Sequence, residues 1–88
     1  MFYYFKNADE RFKRAVWDKG RKIYQDGRCF DPDEWRWDEY GNVMRYSDHA
    51  NQLSPSGWEI SHIIPRPLGG SDEVDNLRPL YWKNNRQN

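Results

Sequence analysis

Three polar side chains in the last third of the sequence have types and a spacing suited to phosphodiester hydrolysis. His62, Asn76 and Asn85 are separated by fourteen and nine residues. Because histidine titrates near neutral pH, it can act as a general base toward water. A carboxamide can orient such a base, and its oxygen is a neutral ligand for a hard cation such as Mg²⁺, which stabilises charge on a phosphate. The set therefore predicts a base, an orienting group and a metal ligand.

Short elements must bring these residues together. The run Trp58–Ile64 predicts a strand, and Pro65–Ser71, with two prolines and two glycines, predicts a broad loop. Residues 76–80 predict a second strand, which its proline places at a sheet edge. A helix is expected to begin at Trp82 and to carry Asn85. The predicted order is strand, loop, strand and helix.

The upstream part predicts one helix and a hairpin. Residues 9–19 carry an apolar face at the three-to-four spacing of a helix, and a glycine follows them. Residues 31–34, Asp-Pro-Asp-Glu, are typical of a helix start, so a short helical turn carrying Trp35 is expected. Residues 37–44 predict a hairpin. Residues 21–30 are ambiguous, with a short extended piece as one interpretation.

Four runs, taken in order, resemble the HNH endonuclease family. They are residues 59–65 (EISHIIP), 69–72 (GGSD), 75–80 (DNLRPL) and 82–86 (WKNNR). Several motifs in order are more specific than any single histidine. The similarity is strong over residues 58–86 and looser over 16–57, which look like the upstream half of small bacterial and phage HNH proteins. It implies a single α+β domain over residues 1–88, in which an N-terminal helix and a hairpin region (1–57) support a C-terminal ββα-metal unit (58–88).

The resemblance implies a role for each matched residue. His62 falls at the position of the general base, Asn76 at the asparagine that braces the loop and helps to orient that base, and Asn85 at the final metal ligand. The family's other ligand, usually Asp or His, is replaced by Ser61. A neutral hydroxyl is a poor ligand for Mg²⁺. Glu59, two residues away on the same strand face, can compensate.

The resemblance also bears on cofactors. Mg²⁺ or a similar divalent cation is implied, and the loss of an anionic ligand is expected to weaken its binding. Tyr81 and Asn84 occupy positions where many relatives carry the second cysteine pair of a zinc knuckle. Zinc is therefore not expected, and aromatic packing must brace the core instead. The single cysteine, Cys29, also argues against disulfides and a cysteine-rich zinc site.

Composition and charge narrow the class of protein. The chain has 88 residues, 17% of them aromatic, and a mean hydropathy of −1.23, which predicts a thin core filled by large rings. No run approaches the ~18 apolar residues of a membrane span, and nothing resembles a signal peptide, so a cytoplasmic protein of a bacterial or phage-infected cell is expected. Fourteen basic residues balance fourteen acidic ones, which argues against a non-specific DNA coat protein.

The charge is nevertheless unevenly distributed. Residues 1–30 carry eight basic and four acidic side chains, whereas residues 31–50 carry two basic and six acidic ones. Four basic residues surround the motif and are candidates for phosphate contacts with double-stranded DNA: Arg66, Arg78, Lys83 and Arg86. The alternative is that they are solvated surface charges. His49 lies in a polar stretch and is expected at the surface.

Three functions stay open. The first is an HNH-type, metal-dependent DNA endonuclease or nickase. The second is a catalytically degenerate HNH-fold protein that acts by binding, such as a phage inhibitor of a nuclease or CRISPR complex, or an adaptor. Ser61, the short final helix and the zero net charge motivate it, and the acidic stretch 31–39 could mimic DNA. The third is a nuclease completed by a partner or a second copy. Taken singly, His62, Asn76 and Asn85 also fit purely structural roles.

Overall fold

The computed structural model describes residues 3–85, which form an α+β fold, as predicted. One α-helix, α1 (Glu10–Trp17), accompanies three antiparallel two-stranded ribbons within this range. The ribbons are β1 (Tyr24–Gln25) with β2 (Arg28–Cys29), β3 (Trp35–Trp37) with β4 (Val43–Arg45), and β5 (Trp58–His62) with β6 (Leu77–Tyr81). Short 3₁₀ turns cover residues 46–48, 66–68, 74–76 and 82–85. No helix within residues 3–85 has the length and hydropathy needed to span a membrane.

Helix α1 is fixed by its cap and by its last two residues. The Asp9 side chain accepts a hydrogen bond from the Phe12 backbone N–H at 2.9 Å, which satisfies a donor that the helix leaves unpaired. Val16 and Trp17 are fully buried, and the Trp17 indole donates to the Pro32 carbonyl at 2.8 Å. The helix is two residues shorter at its C-terminal end than the predicted 9–19, because the chain leaves it once Trp17 is in the core.

The ambiguous segment 21–30 is a hairpin. Asp26 and Gly27 both have positive φ, 53° and 78°, which is the backbone of a two-residue hairpin turn. The predicted helical turn carrying Trp35 is a single hydrogen-bonded turn, and Trp35 itself begins β3 opposite Arg45. Strand pairing in the predicted 37–44 hairpin therefore extends back to Trp35 and replaces a helical continuation.

A small aromatic core joins the N-terminal residues, α1 and the ribbons. The buried cluster comprises Tyr3, Phe5, Val16, Trp17, Met44, Trp58, Ile60 and Leu77. The rings of Trp17 and Trp58 lie 5.0 Å apart, and the His49 ring lies 4.8 Å from Trp58. His49, expected at the surface, is half-buried: its ring packs on Trp58 and lies 3.0 Å from the Tyr3 hydroxyl, with which it shares a hydrogen bond.

A buried carboxylate ties the β3–β4 hairpin to the end of β6. Asp38 is fully buried, and its Oδ1 accepts hydrogen bonds from the backbone N–H groups of Tyr40 and Asn42, each at 2.9 Å. Its Oδ2 accepts from the Tyr81 N–H at 3.0 Å and from Asn84 Nδ2 at 2.7 Å. Tyr81 and Asn84, matched above to the positions of a zinc-knuckle cysteine pair, are thus held by hydrogen bonds to Asp38, and not by aromatic packing alone.

Acid is expected to destabilise the fold through His49. Burial, followed by the charge of Lys13, lowers the pKa of His49 from 6.5 to about 4. The Tyr3 hydroxyl, which accepts the Ile60 N–H, also lies within hydrogen-bond distance of His49 Nε2, so the ring is packed inside a fixed polar and aromatic environment. As the pH falls, His49 is protonated at a higher pH in the unfolded chain than in the folded chain. The free energy of unfolding therefore falls by about 2–3 kcal/mol as the pH drops from about 6.5 toward 4.

The measurement is the free energy of unfolding in urea at several pH values, followed by tryptophan fluorescence. A His49→Asn variant serves as the reference, because it keeps a polar acceptor near Tyr3 but does not titrate. Carboxylate effects are common to both chains and cancel in the difference. A difference that does not change between pH 7 and pH 4.5 would contradict the role of His49.

Candidate active site

The β5–β6 ribbon carries most of the predicted site residues. Its register pairs Ser61 with Arg78 and His62 with Leu77. Because successive strand residues point to opposite faces, His62 shares the face of Ile60, whereas Ser61 shares the other face with Glu59. The strand ends at His62, two residues before the predicted end, where its partner β6 begins at Leu77; the Ile63 N–H still donates to the carbonyl of Asn76, which lies in the preceding 3₁₀ turn, at 2.7 Å. Pro79 lies opposite Ile60, at an edge as predicted.

His62 is held on one side by rings and on the other by a carboxylate. Its ring lies 5.3 Å from that of Phe5 and 6.1 Å from that of Tyr4. Nε2 lies 2.7 Å from Asp72 Oδ1, and the histidine side chain is 10% exposed. Packing and a short hydrogen bond together define one orientation of the imidazole.

Two further polar side chains, those of Tyr4 and Arg66, lie against Asp72. Tyr4 donates its hydroxyl hydrogen to Oδ2 at 2.9 Å, Arg66 Nε lies 3.8 Å from Oδ1, and the Arg66 guanidinium lies 4.4 Å from the centre of the Tyr4 ring. The hydrogen bond from His62 is the largest cause that holds the pKa of Asp72 below its usual value. The hydrogen bond from Tyr4 and the positive charge of Arg66 lower the pKa further. We call His62, Asp72, Tyr4 and Arg66 the His62 cluster.

Sequence reasoning missed two members of this cluster as site residues. Asp72 was visible as the last residue of the Gly-Gly-Ser-Asp run, and its position ten residues after His62, directly after the predicted loop, was a usable signal. Tyr4 gave no signal, because it meets Asp72 across 68 residues of sequence.

Asn76 clamps the two ends of the loop that carries Asp72. Its Oδ1 accepts from the Ile64 N–H at 2.9 Å, and its Nδ2 donates to the carbonyls of Ile64 and Ser71 at 3.0 and 2.8 Å. A Cβ atom at Gly70 would lie 1.6 Å from the Ile64 carbonyl oxygen, so this approach requires glycine. The clamp fixes Ser71, and with it Asp72, relative to the strand of His62.

A second polar group lies on the other face of β5. Glu59 is buried, with 4% of its surface exposed. Its Oε1 accepts from Asn85 Nδ2 at 2.9 Å and its Oε2 from Gln52 Nε2 at 2.7 Å. Ser61 lies on this face and is also buried. Asn85 lies in the 3₁₀ turn Trp82–Asn85, where an α-helix was predicted.

The side chains of Glu59, Asn85 and Ser61 on this face are of the types that bind a hard divalent cation. A carboxylate, a carboxamide and a hydroxyl supply the oxygen ligands that Mg²⁺ takes. The 2.9 Å between Glu59 Oε1 and the Asn85 amide also matches the separation of adjacent ligands at bond lengths of about 2.1 Å, and an asparagine amide can turn to present oxygen. The set has one carboxylate, and residues 3–85 contain no group of three or more His, Cys, Asp or Glu side chains placed to hold a metal.

The predicted base and the predicted ligand are not in contact. His62 meets the N-terminal rings and Asp72, whereas Asn85 meets Glu59 on the opposite face of the ribbon.

The candidate DNA-binding residues differ in their surroundings. Arg66 belongs to the His62 cluster and is half exposed. Arg78 pairs with Glu39 at 2.9 Å, and its buried Nε has no hydrogen-bond partner among residues 3–85. Lys83 is exposed beside the Trp82 ring. Arg86 lies outside the described residues.

One curated protein resembles part of the chain. A stretch of 46 residues is 41% identical to the probable mobile endonuclease C of Enterobacteria phage T4, and the match covers 50% of this chain and 22% of that protein. No protein-family model matches the chain, and no solved structure matches it. The chain thus corresponds to less than a quarter of the phage protein.

Proposed function

We propose that this chain is an HNH-type, metal-dependent DNA endonuclease or nickase. The observation that carries the proposal is the similarity of half the chain to a phage protein named as a probable mobile endonuclease. The His62 cluster supports it, because an imidazole held by a carboxylate at the end of a strand is an arrangement suited to a general base. The ββα-metal unit, with Asn85 on its last element, belongs to the same proposal.

His62 performs the proton transfer in this proposal. It takes a proton from a water molecule, the resulting hydroxide attacks phosphorus, and the P–O bond to the leaving oxygen breaks as that oxygen acquires a proton from solvent. Asn76 keeps the loop and strand aligned through this step. Arg66 and Lys83 contact flanking phosphates.

The metal ligands in this proposal are Glu59, Asn85 and Ser61. These side chains would hold a divalent cation, which would supply positive charge to the phosphate. Because these side chains and His62 lie on opposite faces of β5, the phosphate crosses the end of the strand at Ser61 and His62.

The test is incubation of the purified chain with supercoiled plasmid and Mg²⁺ or Mn²⁺. Conversion to the open-circular or linear form, abolished by EDTA, supports the proposal. A chain that leaves the plasmid intact with every divalent cation, while folded by circular dichroism, overturns it.

Replacing Ser61 by aspartate is expected to strengthen metal dependence. The residue is 1% exposed, so an added carboxylate without a cation is costly, and the melting temperature falls in EDTA. Mn²⁺ then raises the melting temperature more than it does for the native chain, and nicking increases. Ser61→Asn, which adds no charge, is the matched control. An equal response of both variants to Mn²⁺ would count against a metal on this face.

A binding role without catalysis is the second candidate function. It is favoured by the low exposure of His62 and by the separation of His62, which pairs with Asp72, from Asn85, which pairs with Glu59 on the other face of β5. DNA mimicry by residues 31–39 receives little support, since Glu34 pairs with Arg45 at 2.7 Å, Glu39 pairs with Arg78 at 2.9 Å, and Asp38 is buried. The absence of nicking by both the native chain and Ser61→Asp would favour the binding role.

Completion of the site by a partner or second copy makes a different prediction. Nicking would then rise more steeply than linearly with protein concentration, or would appear only when a second protein is added. A linear dependence at all concentrations contradicts completion by a second copy.

A further inference from the structure

We infer that Asp72 is a positioning residue for His62, which holds the hydrogen of the imidazole on Nε2 and leaves Nδ1 to accept the proton from water. This inference rests on the proposed function, and it concerns a residue for which the resemblance implied no role. It assigns the aspartate of the Gly-Gly-Ser-Asp run to the chemistry of the base.

The geometry of the pair is that of a directed hydrogen bond. Nε2 and Oδ1 are 2.7 Å apart, a length typical of a bond assisted by charge. Asp72 is fixed from its other side, since Oδ2 accepts the Tyr4 hydroxyl at 2.9 Å and Arg66 lies 3.8 Å from Oδ1. Because an ionised carboxylate can only accept hydrogen bonds, the hydrogen between the two residues belongs to Nε2.

The other ring nitrogen is the one available for catalysis. Among residues 3–85 the hydrogen-bond partner of the His62 side chain is Asp72, through Nε2, and the rings of Tyr4 and Phe5 pack against the imidazole. A neutral imidazole protonated at Nε2 has its lone pair at Nδ1. When Nδ1 takes a proton from water, the imidazolium formed lies against the Asp72 carboxylate, which stabilises it in the manner of other base–orienter pairs.

A merely structural role for Asp72 predicts different behaviour. The side chain is 40% exposed, and a partly exposed ion pair contributes little to folding. Substitution of Asp72 is therefore expected to leave stability nearly unchanged while cutting falls. If Asp72 only stabilised the fold, its substitution would lower stability and leave cutting by the folded protein unchanged.

The experiment compares Asp72→Asn with the native chain and with Asp75→Asn, an exposed aspartate in the following turn. Nitrogen-15 NMR of the imidazole of His62 reports which nitrogen carries the hydrogen, and nicking is measured across the pH range. In the native chain we expect a downfield, slowly exchanging proton on Nε2. In Asp72→Asn that resonance should shift upfield or exchange away, nicking should fall on the order of 10²-fold, and the shape of its pH profile should change.

The outcomes separate this inference from the proposed function. Native nicking and an unchanged pH profile in Asp72→Asn overturn the positioning role, as does a native His62 whose hydrogen lies on Nδ1. A native chain that does not nick, but whose His62 spectrum depends on Asp72, overturns the proposed function and supports the pairing. Asp75→Asn should match the native chain in every readout. Urea unfolding of each variant shows that it is folded.

Discussion

Replacing His62 by alanine is expected to lower plasmid nicking by a factor on the order of 10² to 10⁴, the contribution typical of a general base. The imidazole is the proton acceptor proposed within the His62 cluster, because the Tyr4 hydroxyl donates to Asp72 and the Arg66 guanidinium is a cation beside the same carboxylate. The measurement is the initial rate of conversion of supercoiled plasmid at saturating Mn²⁺. Free imidazole should restore part of the activity to a His62→Gly variant.

The His62→Ala variant can also be tested by a measurement that does not depend on cutting. The hydrogen bond from His62 is the largest cause that lowers the pKa of Asp72, so removal of the imidazole should raise that pKa toward its ordinary value, as carbon-13 NMR of the carboxyl can show. Glu73→Gln, an exposed acid beside Asp72, is the control for the change in loop charge. Full nicking by His62→Ala would remove His62 from the mechanism.

Replacing Asp38 by alanine is expected to lower the free energy of unfolding by on the order of 3–4 kcal/mol. The change leaves three backbone N–H groups and one carboxamide without their acceptor, and each buried donor that loses its partner costs about 1–3 kcal/mol before relaxation. A domain of this size has a total stability of about 5–15 kcal/mol, so the variant should be close to unfolding at 37 °C.

Urea titration followed by tryptophan fluorescence measures this loss. Asp38→Asn keeps the shape but turns one acceptor into a donor, so it should also destabilise, by a smaller amount. Asp75→Ala removes an exposed carboxylate and should change stability by less than about 0.5 kcal/mol. A loss below about 1 kcal/mol in Asp38→Ala would mean that water satisfies the released donors, and that Asp38 does not brace the hairpin to β6.

Local patterns predicted the elements that depend on near neighbours. The α+β class, a helix within residues 9–19, the 37–44 hairpin and the strands around Ile60 and Pro79 were all predicted, because periodicity and turn chemistry act over a few residues. The hairpin at 21–30 was predictable in principle from Asp26-Gly27, a strong turn signal. Trp35 was predicted in a helical turn but lies in β3, because its pairing with β4 outweighs the helix-start signal of residues 31–34.

The chemical identity of the site residues was set by the sequence. An imidazole at position 62, carboxamides at 76 and 85 and a hydroxyl at 61 define which proton transfers and which ligands are available, whatever the fold. Their roles in catalysis and metal binding remain predictions that the nicking and metal experiments test.

Tertiary packing alone decided which partners these residues meet. Tyr4 reaches Asp72 across 68 residues, and Asp38 reaches Tyr81 across 43, so neither contact leaves a mark in local sequence. The position of His62 and Asn85 on opposite faces of β5 likewise follows from the turn that folds Asn85 onto Glu59, because side chains alternate along the strand and Glu59 lies on the face opposite to His62. Such contacts are fixed only when the whole chain packs, because their energy depends on burial and on distant donors, which no short window of residues contains.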